Sequence, residues 1–152
     1  LDINASIVTY KTNPQKLERL LGSLNRTGIE ISVTIVDNSP TNGLEHIVKS
    51  SAVHYMRNGR NQGYGSANNV LMKQSLNNAK YHLVLNPDVY FSDNVLEKLY
   101  SYMEAHTDIG LIMPKVLFPD GSLQYLCKLL PSPYELIVRR FSPFRKLYER
   151  IN

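Results

Sequence analysis

Short runs of aliphatic and β-branched residues alternate along this chain with segments whose apolar positions recur every three to four residues. "ASIVTY" (5–10), "ISVTIVDNS" (31–39), "VHYMRN" (53–58) and "YHLVLNPDVYF" (81–91) read as strands, and "IGLIMPKVLF" (109–118) as a fifth. Between them, "NPQKLERLLGSL" (13–24) carries Leu17, Leu20, Leu21 and Leu24 at helical spacing, with Asn13 placed to cap the helix and Pro14 suited to its first position. "GLEHIVKSS" (43–51) predicts a short helix and "GSANNVLMKQSLNNA" (65–79) a longer one. "SDNVLEKLYSYMEAH" (92–106) predicts a strong helix, with Ser92 or Asp93 as cap and Val95, Leu96, Leu99, Tyr102 and Met103 on one face. This alternation predicts βαβ units, an α/β fold and a mostly parallel sheet flanked by helices. Sheets of that kind bind ligands at the carboxyl ends of their strands.

The predicted strand ends are polar. The first closes on Thr9, Tyr10 and Lys11, the second on Asp37, Asn38 and Ser39, and the third runs into "NGRNQGYGSANN" (58–69). The fourth ends in Asn86, Pro87 and Asp88. One such end is ordinary turn chemistry; four along one edge, two of them with carboxylates, point to a site. The glycine loop has Gly63 and Gly65, but Asn68 stands where a dinucleotide fingerprint needs its third glycine, and the loop follows the third strand rather than the first. That disfavours a nicotinamide-dependent dehydrogenase. A structural reading of the same loop is a tight turn into a helix, capped by Asn61 or Ser66. Asn86 and Asp88 offer an amide and a carboxylate oxygen, the hard ligands that a divalent cation takes together with substrate phosphates. Here too a plain strand-terminating turn accounts for the residues.

Composition narrows the classes. The 152 residues, 43% hydrophobic, suit one domain with a real core. The net charge of +4 permits binding to phosphates or an anionic membrane without requiring either. A single cysteine, Cys127, excludes an internal disulfide and a cysteine-based zinc site and is compatible with a reducing, cytoplasmic compartment. His46, His54, His82 and His106 show no ligand spacing. No apolar run reaches the ~20 residues of a transmembrane helix, and no signal peptide is visible at the N-terminus. The basic residues do not alternate with aromatics, so a nucleic acid partner is not expected.

"SIVTYK" (6–11), "TIVDNS" (34–39), "NQGYGSANN" (61–69), "LNPDV" (85–89) and "PDGSLQ" (119–124), in this order, resemble the family 2 glycosyltransferases of the GT-A fold, most of all their rhamnosyltransferase-type members that build surface polysaccharides. The resemblance covers about residues 4–125. It implies a nucleotide-sugar donor, dTDP-L-rhamnose first and UDP-sugars next, and a glycan or lipid-linked acceptor. By resemblance, Thr9 and Tyr10 line the nucleotide pocket, and Asp37 bonds the pyrimidine base with Asn38 and Ser39 beside it. Asn61, Gly63, Gly65, Asn68 and Asn69 shape the wall near the ribose and diphosphate. Asn86-Pro87-Asp88 stands for the family's D-x-D element, with Asp88 holding Mg²⁺ or Mn²⁺; Asp120, Gly121 and Gln124 fall on the sugar and acceptor side. Lys11 stands where these enzymes often have asparagine, and Asn86 where a second carboxylate is common.

Past Gln124 only Glu135 and Glu149 are acidic, and neither sits in the family's Glu-Asp type base motif. An inverting transfer needs a base near the acceptor hydroxyl. The sequence therefore predicts a donor-binding core over 1–127 of a truncated domain, with the base outside this chain and weak or no transfer. Over 128–152, Lys128, Arg139, Arg140, Arg145, Lys146 and Arg150 face those two glutamates, while Ile137, Phe141, Phe144, Tyr148 and Ile151 recur at helical spacing. The stripe suits peripheral contact with the inner face of a membrane, or, with more weight, packing on further protein or a second copy. Two other functions stay open: a non-catalytic nucleotide-sugar-binding module, and a nucleotidyltransferase, which would want a glycine-rich basic signature that "SIVTYKTNPQ" lacks.

Overall fold

A computed structural model describes residues 1–41, 43–48 and 51–126. Residues Leu1–Gly110 form one compact unit, and a second begins at Leu111. The expected boundary at 127/128 and the basic stripe of the tail lie outside the described residues.

Four parallel strands make the sheet of the first unit: β1 (Ile3–Thr9), β2 (Ile31–Asp37), β3 (Val53–Arg57) and β4 (Tyr81–Leu85), in the order β3-β2-β1-β4. Helix α1 (Pro14–Leu24) joins β1 to β2; α2 (Tyr64–Ser75) carries the chain from β3 back across the sheet to β4; α3 (Val95–Ala105) follows β4. The α/β sheet flanked by helices is the fold expected from the alternation. Of the helix predicted over 43–51, the described residues show one 3₁₀ turn, Glu45–Ile47, whose Ile47 is buried.

Alternation along β1 and β2 separates two cores. Ala5, Ile7, Val33 and Ile35 face α1 and pack on Leu17, Leu20, Leu21 and Leu24, joined by Leu44, Ile47, Leu85 and Leu96. Val8 and Val36, on the other face, pack on Ala67 and Leu71 of α2. Period two in the strands and period 3.6 in the helices place these sets by themselves. Asn13 caps α1 as expected: its Oδ1 accepts Gln15 N–H at 2.9 Å, and Pro14 opens the helix. We expect Asn13→Ala to lower the unfolding free energy by about 1 kcal/mol, read from the urea midpoint, without altering ligand binding.

The α2 face also carries a polar seam. Ser6 Oγ donates to Asn68 Oδ1 at 2.7 Å and lies 2.9 Å from His82 Nε2, while Ser75 Oγ lies 2.7 Å from His82 Nδ1. Strand β1, helix α2 and strand β4 are thus tied by one string of hydrogen bonds. Burial lowers the His82 pKa, which keeps the ring neutral inside this seam.

Two expectations are corrected. Neither Ser92 nor Asp93 caps α3: Asn94 is the N-cap, in a left-handed conformation at φ 64°, with no side-chain bond to the helix. Asp93 is engaged elsewhere, its Oδ1 accepting Arg26 Nε–H at 2.6 Å. The fifth strand over 109–118 is not formed either; the described residues there make only a single antiparallel bridge, Leu117 to Leu123. A strand is stable only with a neighbour to pair with, and Pro114 removes a ladder donor from the middle of that run.

Candidate functional site

The strand order reverses direction at β1: α1 leads from it to β2, whereas β4 arrives on its other side by way of α2. The crevice outside the carboxyl ends of β1 and β4 is therefore a topological switch point, where sheets of this kind hold ligands. Tyr10 and Lys11 leave β1 beside it, and Asn86-Pro87-Asp88 leaves β4.

Asp37, at the end of β2, is fully buried. Its Oδ1 accepts Ser39 N–H at 2.9 Å and its Oδ2 accepts Tyr55 O–H at 2.6 Å. Burial by itself would raise its pKa; the bonds from Ser39 and Tyr55 outweigh this and hold the carboxyl below its usual value, ionised. The same arrangement pushes the Tyr55 phenol well above its usual value, through burial and then the Asp37 bond and charge. Thr9 Oγ1 is also buried and makes no well-formed hydrogen bond.

Asn38 is a clamp. Its backbone N–H donates to Thr9 O at 2.9 Å, its Oδ1 accepts Asn58 Nδ2–H at 2.7 Å, and its Nδ2 reaches Gly63 O at 3.5 Å. It joins the ends of β1, β2 and β3 to the glycine loop. Gly63, at φ 83°, is the N-cap residue of α2, and its N–H donates to Asn61 Oδ1 at 2.9 Å. Gly63 therefore takes the cap position expected for Asn61 or Ser66, and φ > 0 is why it is glycine. Asn68 turns inward, Oδ1 to Ser6 and Nδ2 to Tyr64 O at 3.1 Å, whereas Asn69 and Gly65 are exposed.

Ser39 Oγ accepts Lys11 N–H at 2.8 Å, and Lys11 has a left-handed backbone, φ 49°. Lys11, Thr12, Pro14, Asp37, Ser39 and Thr41 line a shallow cavity of about 110 Å³. Asp37 closes its floor without exposing surface to water, so its charge reaches a ligand more readily than its oxygens do. Tyr10 is half-exposed beside it, with the Lys11 ammonium 5.5 Å from the ring centroid.

Asp88 stands apart from this cluster. Its carboxylate is exposed, and Lys16 Nζ, from the first turn of α1, lies 3.8 Å from its Oδ2. Asn86 is exposed and its carbonyl accepts Val89 N–H at 3.4 Å, the turn that ends β4. Among the described residues no three His, Cys, Asp or Glu side chains gather as a metal cluster.

Asp120 and Gln124 belong to the second unit. There Gly121, at φ 84°, turns a small hairpin: Phe118 N–H donates to Ser122 O at 2.8 Å and Gln124 N–H to Val116 O at 2.9 Å. The Ser122 hydroxyl and N–H donate to Asp120 and hold its carboxyl below the usual value.

Sequence reasoning passed over Tyr55 and Lys16. Tyr55 pairs in register with Ile35, so it shares the face of Asp37 two residues further along β2; that diagonal is invisible until the register is known. Lys16, in the first turn of α1, meets Asp88 from far away in sequence, a proximity that no local pattern announces.

These features define an α/β protein whose parallel sheet ends in polar residues along one edge. Residues 5–149 match the family described as Glycosyl transferase family 2, and the chain belongs to that family. Over 122 residues it is 30% identical to the low-salt glycan biosynthesis hexosyltransferase Agl10 of Haloferax volcanii, covering 79% of this chain and 38% of that protein. Over 137 residues it is 30% identical to the N-acetylglucosaminyl-diphospho-decaprenol L-rhamnosyltransferase of Mycobacterium tuberculosis, covering 82% of this chain and 44% of that protein. The chain thus spans less than half the length of these curated relatives. The fold is similar to that of Staphylococcus aureus TarS in complex with UDP-GlcNAc, with a TM-score of 0.61 at 21% identity, over 70% of this chain and 32% of that one. No helix among the described residues is long and apolar enough to cross a membrane.

Proposed function

We propose that this chain binds the donor for a metal-assisted, inverting glycosyl transfer, with dTDP-L-rhamnose as the first candidate donor and UDP-sugars next, and a glycan or lipid-linked acceptor of surface polysaccharide synthesis. The observation that carries this reading is the row of polar strand ends along one edge of the sheet, three of them joined by hydrogen bonds through Asn38, with the exposed Asp88 carboxylate following the fourth. The rhamnosyltransferase named above, whose name includes a diphospho-decaprenol, supports the rhamnose and the lipid-linked acceptor.

In this reading a pyrimidine stacks on exposed Tyr10 over the cavity floored by Asp37, whose negative charge favours a base presenting an N–H. Thr9, Asn38 and Ser39 hold that floor, and Asn61, Gly63, Gly65 and Asn69 form the ribose-side wall, with Asn68 buried behind it and bonded to Ser6. Asp88 suits Mg²⁺ or Mn²⁺: one accessible carboxylate, beside the Asn86 amide, matches ions that take most of their ligands from water and phosphate oxygens. Such an ion neutralises charge on a departing diphosphate. Lys16 balances Asp88 when nothing else does. Asp120 and Gln124 are assigned to the acceptor side.

Calorimetric titration with dTDP and UDP, each with and without Mn²⁺, tests the reading. We expect binding of at least one nucleotide, tighter with Mn²⁺. No binding of either in the presence of Mn²⁺ would overturn it.

A further inference from the structure

We infer that Lys11 reads the phosphate of the nucleotide, with Ser39 and Asp37 as the residues that position it. The inference rests on the donor reading above and adds to it a residue at which this chain departs from the family pattern it resembles.

Lys11 leaves the central strand in a left-handed conformation, φ 49°, that residues other than glycine, asparagine and aspartate seldom adopt. Such a backbone persists only where its surroundings determine it. Here they do. The Lys11 N–H is held by Ser39 Oγ at 2.8 Å, the Ser39 N–H by Asp37 Oδ1 at 2.9 Å, and Asp37 Oδ2 by the Tyr55 hydroxyl at 2.6 Å. The chain of contacts runs from β3 through a fully buried carboxylate to one exposed lysine at the rim of the cavity.

Among the described residues the lysine's charge has no acidic partner. Lys16 is paired with Asp88 and Lys80 with Glu104, but among the described residues no carboxylate forms an ion pair with Lys11. Its ammonium instead lies near the exposed ring of Tyr10. Asp37 at the floor repels a phosphate, so a nucleotide in this cavity must place its base downward and its phosphate at the rim. The rim is where Lys11 stands, and an ammonium is a good point-charge partner for phosphate.

The test titrates the full chain, without divalent metal, with a nucleoside, its monophosphate and its diphosphate, thymidine, dTMP and dTDP, or the uridine series if UDP binds tighter. Lys11→Asn keeps a residue that tolerates the left-handed backbone and removes the charge; Lys11→Arg keeps the charge. In the wild type we expect the two nucleotides to bind more tightly than the nucleoside. Lys11→Asn should weaken the diphosphate about tenfold at low salt, flatten its salt dependence and leave the nucleoside unchanged. Lys11→Arg should restore most of the loss. Ser39→Ala should lower the diphosphate-to-nucleoside affinity ratio, a readout that a purely structural role would not move. Wild-type diphosphate affinity in Lys11→Asn, or an equal loss for nucleoside and diphosphate, would overturn the inference while leaving the donor reading intact. A wild type that binds none of these nucleotides even with Mn²⁺ defeats the donor reading itself.

Discussion

Asp37→Ala is expected to lower the unfolding free energy at pH 7 by about 3 kcal/mol, because it strands the buried Ser39 N–H and the half-buried Tyr55 hydroxyl. Asp37→Asn should cost less, since an amide can still accept from one donor and offer its own N–H to the tyrosine oxygen. The pH dependence separates charge from shape. The folded-state pKa of Asp37 lies below its ordinary value, so its ionised form adds stability. That contribution is complete above an unfolded pKa of about 3.9 and is lost as pH falls through the lower folded value. Urea midpoints of wild type and Asp37→Asn should therefore differ at pH 7 and converge only as pH falls below about 3.9. A constant gap across that range would show that the carboxylate's charge is not what holds this strand end.

Asp88→Ala should do the opposite. The carboxylate is more than half exposed, at 55%, and its one ion pair is loose, so stability should move by less than about 0.5 kcal/mol. The effect falls on metal-linked binding. Mn²⁺ should no longer improve nucleotide affinity, a loss of at least about tenfold relative to wild type measured with the ion. Affinity measured without metal should fall little. If Mn²⁺ tightens nucleotide binding equally in both proteins, the ion is held elsewhere and the assignment of the β4 end is wrong.

Much of this was legible in the sequence because two periods do most of the placing. Leu17, Leu20, Leu21 and Leu24 stood on one helix face by spacing alone, and the Asn13-Pro14 start of α1 followed from local capping chemistry. What failed were readings that depend on a partner. Leu111, at 88% exposed, sits in a run that looks like a buried strand and is not one. Asp93 looks like a cap but meets Arg26 from a loop far away in sequence. At the site, the polar strand ends stood out in the sequence, but their internal bonding did not. Asn38 and Asn68 read as ligand residues, yet their side chains are engaged by the protein, and Tyr55 reads as an ordinary strand aromatic.

The strand order also bears on how the chain acquires its shape as it is made. β1 lies between β2 and β4, pairing with residues about 30 positions away on one side and about 80 on the other, and closing the longer loop costs more entropy. Of these four strands, the inner strand β1 is made before the others and completed after them. Until Tyr81–Leu85 arrive, one edge of Ile3–Thr9 has no neighbour, and an open apolar edge is a template for pairing with another chain. The residues that later seat Tyr10 and Lys11 at the site are therefore also those most exposed to misassembly during translation.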